Sequence, residues 1–351
     1  MLDDYVTLGL SGLRVSRMAL GTFNFGGSRD WELAPAAAHA LIDRYLDLGG
    51  NFIDSANIYG GGEAETIVGD YFQRSSRRDS VVIATKFASN VHPGDPNGGG
   101  AQRKSIMRSC EASLRKLRTD YIDLFWMHLW DKMTPIEETM RALDDLVSQG
   151  KILHLGFSNI PAWKATEAHM LAQFRDYAPA VALQLQYSLL ERNIEHELVP
   201  MAQAHGLGIC PWSPLKSGAL SGRFTRENIA GADGGRAMLA RRGLDERGFS
   251  IVDKVVEIAR ARGVAPAQVS LAWLARQPTV ASILLGADTL AELEENGGAL
   301  ALGLDDEELA ALDEVSRPAA RYPIDFVNRG AGAINGGTRV NGVSGVSAHI
   351  R

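Results

Sequence analysis

Short apolar runs recur along the chain, and the stretches between them carry apolar residues at the period of a helix. Eight runs have the character of strands, and they are MALGTF (18–23), FIDS (52–55), VVIATKF (81–87), YIDLFWMH (121–128), ILHLGFS (152–158), VALQLQY (181–187), LGICPW (207–212) and VASILLG (280–286). Within residues 64–72, five apolar positions fall on one helical face, namely Ala64, Ile67, Val68, Tyr71 and Phe72. Strand and helix alternating at this spacing is typical of βαβ units, whose strands are parallel.

Eight such units predict an α/β fold, a (β/α)8 TIM barrel, as a single domain over residues 1–351. An open, doubly wound sheet is the alternative. It is disfavoured because no G-x-G-x-x-G motif follows any of the runs. Before the first run, residues 5–15 alternate around Ser11-Gly12 and predict an N-terminal β-hairpin.

Capping patterns predict where two helices begin. Residues 134–137, Thr-Pro-Ile-Glu, form a capping-box pattern for a helix that ends at Gly150, and residues 305–308 repeat the box for the last helix. Two segments interrupt the rhythm. Residues 216–249 are polar and rich in Gly and Arg, and they predict a cofactor-side loop that closes over a ligand. Residues 317–351 predict a C-terminal loop rather than a helix, either on the substrate side or as a loose tail.

Composition narrows the classes of function. The chain is 45% hydrophobic and 22% charged with a net charge of −6, and it has no basic stripe, which argues against nucleic-acid and membrane-surface partners. Two distant cysteines, Cys110 and Cys210, fit a reducing compartment. No signal peptide or apolar run of spanning length is visible, so the predicted location is the cytoplasm. The histidines form no H-x-H or H-E-x-x-H pattern, so no metal is predicted.

Polar residues fall where the predicted strands end, which is the end at which barrel enzymes build their active sites. They are Asp54, Lys86, His128, Ser158 and Asn159, with Gln184 inside the sixth run. Asp54 and Lys86 come from neighbouring strands at the same height, so we expect a buried ion pair between them.

Tyr59 follows Asp54 on a glycine-rich turn. A free tyrosine has a pKa of about 10, and a nearby cation lowers it. We therefore expect Lys86 to depress the pKa of Tyr59, which then serves as a general acid or base, with His128 bonding in the same region. Such a group suits protonation of the oxyanion that forms when a hydride reaches a carbonyl.

These segments resemble the aldo-keto reductase superfamily over nearly the whole chain. FIDSANIYGGGEAE is similar to its Asp and Tyr segment, TKF to its Lys segment and YIDLFWMH to its His segment. GKILHLGFSN and QLQYSLL resemble its nicotinamide-binding strands, and PWSPLKSGALSGRF resembles its cofactor clamp. DPNGGGAQRKS and LRKLRTDYIDLFWMHLWD are most similar to the aryl-alcohol dehydrogenase-like branch. The resemblance implies an NAD(P)(H)-dependent oxidoreductase, without a Rossmann domain or metal, that interconverts an aldehyde or ketone and an alcohol.

The resemblance also assigns roles to residues. It makes Tyr59 the general acid, Lys86 the group that depresses its pKa, Asp54 the partner of Lys86, and His128 the group that orients the carbonyl. The residues it implies for cofactor binding are Gly21, Thr22, Phe23, Ser158, Asn159, Gln184, Trp212, Ser213, Leu215, Ser217, Gly218, Leu220, Arg223, Gly286, Asp288, Glu292, Glu295 and Asn296. Among them, Trp212 would stack on the nicotinamide.

The form of the cofactor stays open. Asp288 stands where the family usually carries Arg, and Glu292 where Arg or Gln is frequent. A carboxylate repels an adenosine 2′-phosphate but accepts a hydrogen bond from a ribose 2′-hydroxyl. The resemblance thus favours NADP(H), whereas these two residues favour NAD(H). If Asp288 faces solvent, a loop arginine such as Arg223, Arg226 or Arg236 is the alternative phosphate ligand.

The substrate and two rival functions complete the predictions. Phe25, Trp31, Phe87 and Trp130 predict a pocket for an aromatic or apolar carbonyl compound or alcohol, with a ketosugar or glycoside as the alternative. A Schiff-base aldolase would use Lys86 as its nucleophile. A non-catalytic, cofactor-sensing partner subunit, as in potassium-channel β subunits, would share the fold.

Overall fold

Eight parallel strands surrounded by helices dominate the structure. The computed structural model describes residues 1–27, 29, 31–231, 233–334, 336, 338–341 and 343–344. The strands are β1 (Tyr5–Thr7), β2 (Arg14–Ser16), β3 (Met18–Gly21), β4 (Phe52–Asp54), β5 (Val82–Phe87), β6 (Ile122–Met127), β7 (Ile152–Ser158), β8 (Ala180–Gln186), β9 (Gly208–Trp212), β10 (Ile283–Leu285), β11 (Arg339–Val340) and β12 (Val343–Ser344).

Most helices lie between successive strands. They are α1 (Pro35–Asp47), α2 (Glu63–Arg74), α3 (Arg103–Leu117), α4 (Ile136–Ser148), α5 (Ala162–Arg175), α6 (Leu198–His205), α7 (Gly235–Arg241), α8 (Glu246–Arg262), α9 (Pro266–Ala275), α10 (Leu290–Gly297), α11 (Asp306–Ser316) and α12 (Ile324–Ile334). Short 3-10 helices span Tyr59–Gly62, Arg78–Ser80, Asn193–His196, Lys216–Ser221, Ile229–Gly231 and Gly298–Ala301.

The eight strands follow one another in the order β10-β3-β4-β5-β6-β7-β8-β9, and every neighbouring pair is parallel. Backbone bonds bring the two ends of this sheet together. Ile209 N donates to Thr279 O at 2.7 Å, and Ala281 N donates to Ile209 O at 2.9 Å. The predicted TIM barrel is therefore confirmed, and each of the eight predicted runs overlaps one strand.

Side chains alternate between the inside and the outside of the barrel. On β5, Val82 and Ala84 belong to the inner core, whereas Ile83 and Phe87 belong to the outer core under the helices. This period of two places Lys86 inside and Thr85 outside. The predicted hairpin is confirmed as the antiparallel pair β1–β2, and Leu8, which follows β1, and Val15, within β2, pack into the inner core.

The two capping predictions had different outcomes. Asp305 and Glu308 form the reciprocal box that opens α11, as expected. Thr134 does not cap α4, because its hydroxyl donates to the Asp131 carboxylate at 2.6 Å and the helix begins after Pro135.

Two segments predicted as loops contain helices. Residues 216–249 include two 3-10 turns, α7 and the start of α8. The 3-10 turns and α7 are too short to show a helical period of apolar residues in the sequence. Residues 317–351 include α12, and the part of this segment at 345–351 lies outside the described residues. Glycines inside α12 lower its helix propensity, which is why its composition indicated a loop. Within the described ranges, no helix is both long and apolar enough to cross a bilayer.

Candidate active site

The centre of the site is Lys86, which is fully buried at the carboxyl end of β5. Its ammonium donates a short hydrogen bond to Asp54, one of 2.7 Å to the carbonyl oxygen of Ser55, and one of 3.1 Å to the hydroxyl of Tyr59. The other carboxylate oxygen of Asp54 accepts from Nε2 of Gln184 at 2.8 Å. The three hydrogens of the ammonium thus have three oxygen partners, and one partner is the phenol.

The charge of Lys86 is well supported. Burial is the largest single influence and acts to lower its pKa, but the charge of Asp54, the interaction with Tyr59 and the hydrogen bonds to both groups together hold the pKa above its ordinary value. A Schiff-base enzyme needs a neutral lysine amine as its nucleophile. A buried, ion-paired ammonium is the opposite state, which weighs against the aldolase alternative.

The pKa of Tyr59 differs from the predicted direction. Burial is the largest influence and raises the pKa above 10, Lys86 acts to lower it, and Asp54 raises it again. The expected net depression is therefore wrong for this structure, although Lys86 offsets part of the cost of burial. At neutral pH the half-buried phenol is protonated, so it is a proton donor.

His128 lies directly after β6 and faces Tyr59, with 6.0 Å between the ring centroids and 84° between the ring planes. Burial, and then the charge of Lys86, lower the pKa of His128 to about 4. The imidazole is therefore neutral at physiological pH and keeps one N–H to donate. Its Nδ1 lies 3.4 Å from the hydroxyl of Ser89, a residue that no motif in the sequence indicates.

Aromatic side chains flank Tyr59. Phe23 is 53% exposed, stacks on Trp31 at 5.2 Å, and meets the Tyr59 ring edge-on at 5.2 Å. Trp130 packs edge-on against Trp163 at 5.5 Å. Trp31 and Trp130 therefore belong to partly exposed aromatic pairs, one of which touches the ring of Tyr59.

Two predicted pocket residues are corrected. Phe25 and Phe87 are completely buried in the outer core, so neither lines an open pocket. Phe87 packs against Phe125, with 4.8 Å between the ring centroids. The sequence held a signal for this, because Phe87 follows the inward-facing Lys86 and must point to the opposite side of the strand.

The predicted carboxamide ligands lie beside His128. Asn159 has a left-handed backbone (φ 50), and its Nδ2 donates to the carbonyl oxygen of His128 at 2.8 Å and to the hydroxyl of Ser158 at 2.9 Å. Trp212 donates from Nε1 to Oδ1 of Asn159 at 3.2 Å. Gln184 lies opposite Ser158 on the neighbouring strand β8, but its amide nitrogen is already bonded to Asp54.

The segment after β9 has an unusual backbone. Ser213, Lys216, Ser217 and Gly218 have φ values of 51, 47, 56 and 88°. Non-glycine residues adopt this region at a cost, and such backbone often forms concave sites lined by N–H groups that bind anions. This is the segment to which the resemblance assigns the pyrophosphate of a dinucleotide. The N–H groups of the predicted ligands Gly218 and Leu220 both bond the carbonyl oxygen of Leu215, at 3.0 and 3.2 Å.

The barrel rim between β3 and β10 contains the predicted ribose and adenine residues. Thr22 is buried and donates to the carbonyl oxygen of Asp54 at 3.1 Å, and a Cβ added to the exposed Gly286 would meet open space. The side chain of Asn296 is buried, and its Nδ2 has no hydrogen-bond partner among the described residues. Such an unpaired donor fits a site that hydrogen-bonds a base.

Acidic residues surround the predicted position of the 2′-hydroxyl. Asp288 accepts from Nδ2 of Asn24 at 3.0 Å, and the N–H of Asp288 donates to the carboxylate of Glu292 at 2.9 Å. Arg226, one of the alternative phosphate ligands, is paired with Asp253 at 2.8 Å. Arg223 is exposed, as is Glu295. In the described part of the chain, no cluster of three or more metal-ligating side chains occurs.

Comparisons with known proteins identify the family of the chain. A family model described as the aldo/keto reductase family matches residues 17–317. A norsolorinic acid reductase of Emericella nidulans is 35% identical over 328 residues, which cover 91% of this chain and 82% of the relative. An aryl-alcohol dehydrogenase of Pestalotiopsis microspora is 33% identical over 94% of this chain and 86% of its own length. A probable voltage-gated potassium channel subunit beta of Oryza sativa subsp. japonica is 36% identical over 85% of this chain and 91% of its own length.

Proposed function

The chain belongs to the aldo/keto reductase family of oxidoreductases, and we propose that it interconverts an aromatic or apolar aldehyde or ketone with the corresponding alcohol. The observation that carries the proposal is the 3.1 Å hydrogen bond between the ammonium of Lys86 and the hydroxyl of Tyr59. It joins a proton donor to a fixed positive charge at the carboxyl end of the barrel, where the active sites of barrel enzymes lie. Members of this family use NAD(P)H.

The proposed roles of the residues follow from their protonation states. A bound nicotinamide supplies a hydride to the carbonyl carbon in reduction and accepts one in oxidation. Tyr59 gives its hydroxyl proton to the carbonyl oxygen as negative charge develops there. Lys86 stabilises the phenolate that remains, and Asp54 keeps Lys86 charged. The neutral His128 donates its N–H to the same oxygen and orients it. In the alcohol-to-carbonyl direction, Tyr59 takes the proton back.

The aromatic surroundings support the proposed substrate class. Phe23 and Trp31 form a stacked pair that touches Tyr59 edge-on, and Phe23 is more than half exposed. A flat apolar substrate gains contact area on such faces at little conformational cost. One relative is named an aryl-alcohol dehydrogenase. A ketosugar remains the alternative substrate, and it belongs in the same assay.

The form of the cofactor is a finer proposal. The carboxylates of Asp288 and Glu292 favour NAD(H), because they repel a 2′-phosphate and accept a bond from a 2′-hydroxyl. The family resemblance and the exposed Arg223 favour NADP(H). The two dissociation constants, measured side by side, decide between them.

A second candidate is a cofactor-sensing subunit that binds the dinucleotide but turns over little substrate. The relative named a probable potassium channel subunit beta, which covers most of the chain, favours this alternative. It predicts tight cofactor binding without appreciable reduction of any carbonyl compound.

The experiment that tests the proposal titrates the purified protein with NADH and NADPH and follows tryptophan fluorescence. Oxidation of the reduced cofactor is then measured with 4-nitrobenzaldehyde and with fructose. Micromolar binding and aldehyde-dependent oxidation support the proposal. Binding without turnover favours the sensing subunit. Dissociation constants above about 1 mM for both cofactors, equivalent to only about −4 kcal/mol, overturn both.

A further inference from the structure

A second group of charged side chains lies behind the barrel wall, on the outer side of the strand that carries Lys86. Glu65, in the first turn of α2, is completely buried. One of its carboxylate oxygens accepts from the hydroxyl of Thr85 at 2.7 Å, and the other lies 3.6 Å from Nζ of Lys116. Burying a carboxylate is costly unless it is paired, so these two partners account for its presence there.

The turn that carries Tyr59 leads directly into α2. Gly60, Gly61 and Gly62 have φ values of 55, 66 and 97°, a left-handed region that glycine enters freely. Three consecutive glycines also leave the turn many other conformations. The direction in which Tyr59 points therefore depends on what holds the ends of the turn.

Lys116 holds one end by direct contact. A Cβ placed on Gly62 would lie 2.2 Å from Nζ of Lys116 and 3.3 Å from the carbonyl oxygen of Asn57. The ammonium therefore lies against the bare Cα of Gly62, between the glycine turn and Glu65. A Cβ on Gly69 would likewise lie 2.2 Å from the carbonyl oxygen of Lys116, so α2 and α3 pack closely here.

Thr85 completes the link to the reactive centre. It precedes Lys86 on β5 and points outward, whereas Lys86 points inward. The path Thr85–Glu65–Lys116 thus connects the strand that carries the ammonium with the turn that carries the phenol. It runs outside the barrel wall, away from the described contacts of Tyr59 and Lys86.

We propose that Glu65 and Lys116 are positioning residues that hold the turn Tyr59–Gly62 against β5 and so maintain the contact between Tyr59 and Lys86. The inference rests on the proposed function, because turnover is its main readout. Losing the link lets the turn sample other conformations, so the phenol spends less time in reach of the carbonyl oxygen. Binding of cofactor and substrate, which uses other parts of the rim, should change little.

The test uses two substitutions that remove charge and preserve shape. Glu65→Gln keeps an acceptor for Thr85, and Lys116→Met keeps most of the stem. We expect each to lower kcat about tenfold, because small misplacements of a catalytic group are costly, with KM and the cofactor Kd changed less than about twofold. The double variant should lose no more than either single variant, since both remove one shared interaction.

Matched controls separate positioning from general destabilisation. Arg115→Met removes another cation from the last turn of α3, one that is exposed and makes no side-chain hydrogen bond or ion pair within the described residues. Asp123→Asn weakens a different, mostly buried ion pair, with Arg78, near the start of β6. Both should keep kcat within about twofold of the unaltered protein.

The outcomes are distinct. If Tyr59→Phe abolishes turnover but Glu65→Gln and Lys116→Met keep kcat within about twofold, the positioning role is overturned and the proposed function stands. Turnover that survives in Tyr59→Phe overturns the proposed function itself. If Glu65→Gln does not fold, Lys116→Met decides alone, because the Lys116 side chain is 36% exposed and we expect its replacement to leave the fold intact.

Discussion

Two ion pairs join neighbouring parts of the barrel wall, one at each end of the strands. At the carboxyl end, Lys86 and Asp54 are almost entirely buried, with 0% and 1% of their side chains exposed. At the amino end, Arg78 and Asp123 are 15% and 11% exposed and lie 2.8 Å apart. Both pairs connect β5 or its approach to an adjacent strand, yet their remaining hydrogen bonds differ.

The other donors of Arg78 bond mainly to the protein backbone. It bonds the carbonyl oxygens of Val81 and Tyr121 at 3.0 and 2.9 Å and stacks on the ring of Tyr121 at 4.1 Å. Asp123 accepts from the N–H of Ile83 at 3.0 Å. These bonds tie backbone segments together, so we assign this pair a structural role.

Lys86, in contrast, donates one of its hydrogen bonds to the phenol of Tyr59. The ion pair is thereby coupled to a group that can exchange a proton at the open end of the barrel. A buried ion pair need not stabilise the fold, since the cost of desolvating the two charges can exceed the free energy gained from their attraction. Two similar ion pairs therefore serve different purposes, according to which groups the remaining hydrogen-bond donors of the lysine and the arginine contact.

The largest expected effect comes from Tyr59, the proton donor that is hydrogen-bonded to Lys86. Tyr59→Phe removes the proton donor and leaves the ring, so kcat should fall about 10³-fold, within the range for loss of general acid–base catalysis. The cofactor Kd should change less than about twofold. Steady-state turnover and fluorescence titration measure the two quantities. Survival of more than a tenth of the turnover contradicts the assignment of Tyr59.

The second prediction sets the two ion pairs against each other. Lys86→Met leaves Asp54 buried without its cation, so we expect a loss of about 3–5 kcal/mol in unfolding free energy together with a fall of about 10²-fold in kcat. Arg78→Met leaves Asp123 with a backbone partner and some exposure, so the loss should be about 1–3 kcal/mol, with kcat unchanged.

Urea unfolding and initial rates of both variants make this comparison. The distinction between a functional and a structural pair fails if Arg78→Met lowers kcat as strongly as Lys86→Met does.

A smaller effect is expected at the adenosine end of the rim. Asp288→Arg replaces a repelling carboxylate with a phosphate ligand, so the Kd ratio of NADH to NADPH should rise about tenfold, equivalent to about 1.4 kcal/mol. Asp288→Asn removes only the charge and should give a smaller rise. Titration with both cofactors checks this. An unchanged ratio in both variants means that Asp288 does not face the ribose.

The last prediction concerns stability rather than turnover or cofactor choice, and it is a dependence of stability on pH. Since the pKa of His128 is about 4 in the folded protein and about 6.5 in an unfolded chain, the unfolded state binds the proton first. His128 therefore favours unfolding as pH falls from about 6.5 to 4, and its effect is complete below that window.

Thermal unfolding of His128→Asn should show a shallower loss of stability over this range than the unaltered protein. His154→Gln, near the amino end, tests the same account a second time and should also flatten the slope, because burial lowers the pKa of that histidine as well. Identical slopes for the unaltered protein and His128→Asn would rule out this account of His128.

Much of the site could be predicted because its signals are local. The strand runs are contiguous, and a strand end fixes where its last side chain lies, so Asp54, Lys86 and His128 could be assigned to one rim. The hairpin and the box at Asp305 depend only on residues a few positions apart. Alternation along β5 also excludes Phe87 from the pocket, because Phe87 points away from Lys86.

Other features depended on contacts between distant segments. The bond from Gln184 to Asp54, the link from Thr85 through Glu65 to Lys116, and the competition of Asp131 for Thr134 join side chains from different elements. No local pattern reports such pairings. The raised pKa of Tyr59 also could not be predicted from a local pattern, since it depends on burial, which acts on the phenol more strongly than the neighbouring cation does.

The sequence by itself therefore determined the barrel, its order of strands and the identity of the residues at its carboxyl end, because hydrophobic periodicity and chain connectivity restrict the fold to few solutions. Only the tertiary structure decided which donor meets which acceptor and how far each group is from water. Those distances and exposures set the protonation states of Lys86, Tyr59 and His128, because charge interactions and desolvation depend on the arrangement of atoms in space.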